Sequence, residues 1–222
     1  MMKVTYIYHS AFLVETDHHV LIFDYYKGKL PEFDQTKPVY AFASHAHFDH
    51  YNKEILTWGA TCILADDIVA DKSENIHFIG PDMSMTLGDI KIQTLRSTDE
   101  GVAFLVACEG KKLYFAGDLN WWHWREESDA YNQEMARNYQ REIDKLKGEH
   151  IDLAFIPLDP RLEDAYYLGL DYFMKQTDTD VVIPMHMWGK YQIQERLHHD
   201  QRAASYQSKV KEIVSKGDSF LL

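Results

Sequence analysis

Cysteine is nearly absent from this 222-residue chain, which has only Cys62 and Cys108. Two thiols build no disulfide framework. Each lies in an apolar run, Thr61–Leu64 and Phe104–Cys108, where a buried free thiol is expected in place of a metal ligand. Long hydrophobic runs are missing too: none approaches the roughly 20 residues that span a bilayer. The opening Met1–Thr5 has no signal-peptide apolar core, so the expected address is the cytoplasm, with no membrane partner. Positive charge is in deficit, 23 Lys and Arg against 35 Asp and Glu, for a net charge of −12. That balance argues against a grip on a nucleic-acid backbone. A small anionic substrate stays compatible with it, because bound divalent cations would invert the local sign. No repeat, low-complexity tract or linker interrupts the chain. With 45% hydrophobic residues it can bury a substantial core, and one domain over 1–222 is expected; the oligomeric state is not legible.

What the chain has in excess is histidine and aspartate in one place. Ser44-His45-Ala46-His47-Phe48-Asp49-His50 follows the apolar run Val39–Ala43, so three imidazoles and a carboxylate fall where a strand gives way to a loop. Those are the nitrogen and oxygen donors that borderline divalent cations prefer. A solvated histidine-rich turn is the plain alternative, and the alternation His-x-His-x-Asp-His argues against it.

Around this stretch the pattern is mostly strand. Lys3–Tyr8, Ala11–Glu15 and His19–Phe23 read as an antiparallel meander broken at His9-Ser10 and Asp17-His18. A connection over Tyr25–Lys37 leads to the Val39 strand, and a short helix over Asn52–Trp58 would stop at Gly59. Thr61–Leu64 is a further strand. Period-two alternation at Ile90/Ile92/Thr94, Val102/Phe104/Val106 and Leu113/Phe115 predicts a second meander ending at Gly117-Asp118. Tyr131, Met135, Tyr139, Ile143 and Leu146 have helical spacing after an N-cap at Ser128 or Asp129 and before a stop at Gly148. Ile151–Ile156 and Val181–Met185 read as strands with a helix near Gly169–Gln176 between them. Tyr206, Val210, Ile213 and Val214 suggest a C-terminal amphipathic helix before a last strand, Ser219–Leu222. Two strand-rich halves, each followed by helix, fit a pseudo-duplicated sandwich.

Joined to Gly117-Asp118 and Pro184-Met185-His186, the His45 loop resembles the metallo-β-lactamase-fold superfamily of metal-dependent hydrolases. Tyr8–Glu15 and Leu21–Asp24 look like the branch holding the L-ascorbate-6-phosphate lactonase-like enzymes. The resemblance implies an α+β fold, a four-layer αββα sandwich of two mixed sheets with metals at one end. It implies that His45 and His47 bind a first metal, Asp49 and His50 a second, that Asp118 bridges both, and that His186 completes the second. One or two divalent ions are implied, zinc first, with manganese or iron open. By themselves, Asp118 reads as a turn residue and His186 as a core histidine; their order along the chain moves both toward ligand.

One departure stands out. The superfamily usually supplies a third histidine to the first metal from a loop that here reads Leu95-Arg-Ser-Thr-Asp-Glu-Gly101. Ser97, Thr98 or Asp99 could provide oxygen there, a water could fill the position, or His123 could swing in from Trp121–Trp124. Occupancy by a single metal follows as an option. The Trp121–Trp124 run is either packing under the Ser128 helix or a pocket wall. Arg161 either receives an anionic substrate group or caps a turn; His9 and Asp24 support ligands or close turns. The pairs His18-His19 and His198-His199 are expected to face solvent. The function expected is hydrolysis of an ester, lactone or phosphodiester by activated water, with Asp49 as ligand and proton acceptor. The alternatives are a di-iron oxidoreductase on the same sandwich and a metal-binding protein without catalysis.

Overall fold

Two facing rows of phenylalanine organise the molecule, which is described over all 222 residues by a computed structural model. The first sheet contains β1 (Lys3–Tyr8), β2 (Ala11–Glu15), β3 (Val20–Phe23), β4 (Val39–Ala43), β5 (Thr61–Ala65) and β6 (Ile76–Ile79) in that order, with the C-terminal β13 (Ser219–Leu221) beside β1. The second runs β12-β11-β10-β9-β8-β7: Asp178–Met185, His150–Pro157, Lys111–Phe115, Val102–Cys108, Ile90–Arg96 and Ser84–Leu87. Both sheets open as antiparallel meanders and continue with parallel strands. The repeated plan is the pseudo-duplication that the sequence suggested.

Phe12, Phe23 and Phe42 are neighbours in the first sheet, and Phe155, Phe115 and Phe104 in the second. Ring centroids meet across the sandwich at 4.4 Å (Phe12–Phe155), 4.8 Å (Phe23–Phe115) and 5.3 Å (Phe42–Phe104). Such pairs contribute about 0.5–1.5 kcal/mol each beyond their burial. They belong to one continuous core of 61 buried residues. Strands β3, β4, β10, β11 and β12 all point toward the same end, so the residues just past this aromatic layer, Asp24, Ser44–His50, Asp118, Asp159 and His186, emerge together.

Helix α1 (Asp129–Asp144) begins where Ser128 accepts from the Tyr131 amide. It buries Met135, Tyr139 and Ile143, as the spacing predicts, while Tyr131 is exposed and Leu146 is buried just past its end. Helix α2 (Leu168–Gln176) lies over β11 and β12, with Phe173 stacked on Tyr114 at 4.8 Å. On the first sheet, the 3-10 turn Lys53–Thr57, capped by Asn52, sets the Ile55 carbonyl 3.7 Å from the Cys62 thiol. Both cysteines are free and buried. No helix is long and apolar enough to cross a membrane.

The C-terminal amphipathic helix does not form. Val210 bridges β12 at Val182, the Lys211 amide donates to the Val182 carbonyl, and Ile213 exchanges two hydrogen bonds with the Gln194 side chain. These partners hold the segment extended, and Val214 is left 76% exposed. The helix in this region is α3 (Gln192–His198). His19 also departs from expectation: it is buried between Glu109 (Nδ1, 2.7 Å) and Asp89 (Nε2, 2.9 Å), whereas His18, His198 and His199 are exposed.

Candidate metal centre

At the end of the sandwich where Asp24, Asp118 and His186 emerge, every buried histidine but one is anchored through Nδ1. Asp24, fully buried, accepts from the Ser44 amide (2.7 Å) and hydroxyl (2.6 Å), and its Oδ2 accepts from His50 Nδ1 at 2.7 Å. With its own proton committed to Asp24, the Ser44 hydroxyl accepts from His45 Nδ1 at 2.9 Å. Asp159, also fully buried, accepts from His186 Nδ1 at 2.9 Å. Each contact fixes a tautomer in which the Nε2 lone pair faces inward, the arrangement in which imidazoles hold metals.

Those lone pairs converge on Asp118. Its Oδ1 is 3.2 Å from His50 Nε2 and 3.4 Å from His186 Nε2, and its Oδ2 is 3.7 Å from His45 Nε2. His50 Nε2, His186 Nε2 and Asp118 Oδ1 are buried without a hydrogen-bond partner. Unpaired buried polar atoms are costly and rare in a folded chain. Clustered this way, they describe a place for a cation. Ligand atoms bound at about 2.0–2.2 Å to one ion stand roughly 3.0–3.6 Å apart, close to the spacing seen.

Two groups meet here. His45, His47, Asp99 and Asp118 form a shallow set, and His9, Asp49, His50 and His186 a deep one; in each the ligating atoms lie within 4.8 Å of one another, and Asp118 Oδ1 also approaches His50 and His186 of the deep set. In the shallow set His47 Nδ1 is 3.0 Å from His45 Nε2 and 3.7 Å from Asp99 Oδ2. Of the three candidates in the Leu95–Gly101 loop, Asp99 is the one whose side chain joins His45 and His47 in this set. Ser97 accepts from the Asp99 amide, and Thr98 exchanges hydrogen bonds with the Asn120 backbone, so both hydroxyls serve the loop. His123 does not swing in: it lines a neighbouring groove with Asn132 and Leu162. The run that carries it has split, Trp121 packing near Tyr139 while Trp122 and Trp124 stack at 5.9 Å.

Glycine lets the loops close on this centre. A Cβ on Gly101 (φ +68°) would meet the Ser44 carbonyl oxygen at 1.9 Å, and one on Gly117 (φ +51°) would meet Ser44 Cβ at 2.6 Å. Only glycine takes that backbone shape against so close a neighbour.

The electrostatics call for positive charge. Burial pushes His45, His50 and His186 down to about 3, so all three are neutral at pH 7. Asp118 is driven well above the carboxylate range by burial and then by the nearby carboxylates Asp99, Asp49, Asp24 and Asp159. Burial likewise raises Asp24, to about 7. Asp49 goes the other way: burial pulls it up, but His9 and His50 outweigh that and keep it ionised.

Above the centre opens a cavity of about 390 Å³, walled by Trp122, Trp124, Trp188, Tyr131, Met135 and Phe48. Arg161 lines it, held between Trp188 (5.0 Å) and Trp124 (5.5 Å) while its Nε and Nη2 donate to Asp159. Asp159 is a residue of this site that the sequence pattern does not single out. The signal that marks it is positional, since it follows β11 as Asp24 follows β3.

Comparison with known proteins places the chain in a family. Residues 3–186 match the family described as Beta-lactamase superfamily domain. The chain is 32% identical over 184 residues to a UPF0173 metal-dependent hydrolase of Alkaliphilus metalliredigens, covering 71% of this chain and 73% of that protein. It is 28% identical over 185 residues to the UPF0173 metal-dependent hydrolase YtkL of Bacillus subtilis, with the same coverage. Among solved structures, Igni18, a metallo hydrolase from Ignicoccus hospitalis, is similar in fold, with a TM-score of 0.69 at 18% identity over 100% of this chain and 99% of its own.

Proposed function

The chain belongs to the Beta-lactamase superfamily domain family, and from that premise we propose that it is a metal-dependent hydrolase of a small ester, lactone or phosphodiester. The observation that carries the reading is the set of anchored imidazoles whose free nitrogens meet at a buried, unpaired Asp118 oxygen. His45, His47, Asp49, His50, Asp118 and His186 are the residues to hold one or two divalent ions, zinc foremost, with Asp118 shared between them. A bound ion would supply Lewis acidity, making water acidic near neutral pH and steadying negative charge on the substrate.

The chain's own groups do the rest. Asp49 is ionised and lies beside the centre at the cavity floor, placed to accept a proton from the attacking water. Trp122, Trp124 and Trp188 exclude solvent and offer flat apolar surface to the substrate body. Arg161 has Nη1 free of Asp159 and presents it to an anionic substituent. The likeness of Tyr8–Glu15 and Leu21–Asp24 to the lactonase-like branch favours a lactone within this class. Two free buried thiols suit a reducing, cytoplasmic setting.

A screen of zinc-, manganese- and iron-loaded protein against ester, lactone, phosphodiester and thioester substrates tests this. Turnover is expected to fall by more than about 10³-fold in His47→Ala and in Asp49→Ala with the fold retained. Undiminished turnover in either variant removes the assignment, and redox-active iron without hydrolysis transfers it to oxygen chemistry.

A further inference from the structure

His9 is the exception among the buried histidines. It is 1% exposed, yet neither ring nitrogen has a hydrogen-bond partner. It occupies the two-residue turn between β1 and β2 with φ +58°, a shape that costs a residue other than glycine about 1–3 kcal/mol. The surroundings hold it firmly there. Its amide donates to the Tyr6 hydroxyl at 2.8 Å, its carbonyl accepts from the His186 amide at 3.2 Å, and its ring lies 4.3 Å from the Trp188 ring and 4.2 Å from the His186 ring. That packing sets Nε2 3.4 Å from Asp49 Oδ2, the spacing expected of two ligands on one ion.

We propose that His9 is itself a ligand of the deep metal position, together with Asp49, His50, His186 and Asp118, and that this position fills before the shallow one. A supporting residue would be expected to make a short, aligned hydrogen bond through its ring; here the nearest acceptor, Asp49 Oδ2, stands 3.4 Å away and the contact lacks hydrogen-bond geometry. The deep position thereby has three imidazoles, all buried, whereas the shallow one has two, with the side chains of His47 and Asp99 42% and 44% exposed. The chain lacks a histidine in the Leu95–Gly101 loop and has one to spare in the β1–β2 turn.

This rests on the reading of the site as a metal centre, and the test separates the two. Zinc affinity is measured by competition with a chromophoric chelator in the wild type, His9→Asn, His9→Gly and His47→Asn, with zinc-edge X-ray absorption on samples holding one equivalent. Asparagine and glycine both tolerate positive φ, so the variants keep the turn. The first equivalent is expected to show three imidazoles in the wild type and two in His9→Asn. Its affinity should fall by more than about a hundredfold in His9→Asn, beyond the 10–100-fold typical of losing an outer hydrogen-bond partner. His47→Asn should leave the first equivalent within about threefold, and free imidazole should restore affinity in His9→Gly. Three imidazoles and unchanged affinity in His9→Asn, or loss of the first equivalent in His47→Asn, overturns the proposal while leaving the metal centre standing. A wild type that binds no zinc overturns both.

Discussion

The two ends of the sandwich carry clusters of the same residue types in opposite states. At the far end, where β2 turns into β3 and β9 into β10, His19 Nδ1 meets Glu109 and Nε2 meets Asp89. Glu109 also accepts from the Thr16 hydroxyl and the His18 amide. Every donor there has an acceptor. At the near end His9, His50, His186 and Asp118 are buried with atoms left unpaired, and Asp118 is crowded by carboxylates. A closed network of histidine and carboxylate holds two sheets together; an open one is a cradle for something else. Satisfaction of the polar atoms, more than residue type, distinguishes them.

The comparison breaks most readily at Asp118. Asp118→Asn should lower kcat/KM by more than about 10³-fold and, by removing a buried carboxyl that burial makes hard to ionise, raise the metal-free Tm by several degrees. Activity assays beside thermal melts check both; a metal-free Tm below that of the wild type would contradict the reading of stored repulsion. At the other end His19→Ala should cost about 2 kcal/mol of stability and leave kcat/KM unchanged.

Metal response sharpens the contrast. Saturating zinc should stabilise the wild type and His19→Ala by the same increment, about 2.7 kcal/mol at a hundredfold excess over Kd, and Asp118→Asn far less. Acid gives the smallest effect. At Glu109 burial is outweighed by hydrogen bonds from Thr16, His19 and His18, which bring it to about 2 from the 4.5 of an unperturbed glutamate. Its stabilisation is thus full above pH 4.5 and lost as the pH falls toward 2. Chemical denaturation at pH 5 and pH 3 should show that loss in the wild type and a smaller one in Glu109→Gln.

The sheets could be read from the sequence because alternation is written residue by residue, as in β8, where Ile90, Ile92 and Thr94 are buried and Lys91 and Gln93 exposed. The His45 stretch was visible for a similar reason: its side chains are consecutive. Asp118 and His186 could be picked out only by their order after it. His19 was misread because its burial comes from Glu109, 90 residues away, and a pair of adjacent histidines gives no hint of that. Tyr206, Val210 and Ile213 have helical spacing, but contacts to Val182 and Gln194 decide their backbone. Strands β6 and β7 are short and only partly buried, too weak a pattern to announce themselves. His9 reads in the sequence as support for ligands or as a turn residue, because the unpaired state of its ring exists only in three dimensions.

Anomalous diffraction from zinc-soaked crystals tests the central contrast most directly. Difference density is expected within about 2.0–2.2 Å of His50 Nε2, His186 Nε2 and an Asp118 oxygen, with none beside His19 and Glu109. Density at the His19 end, or none near Asp118, would contradict the account.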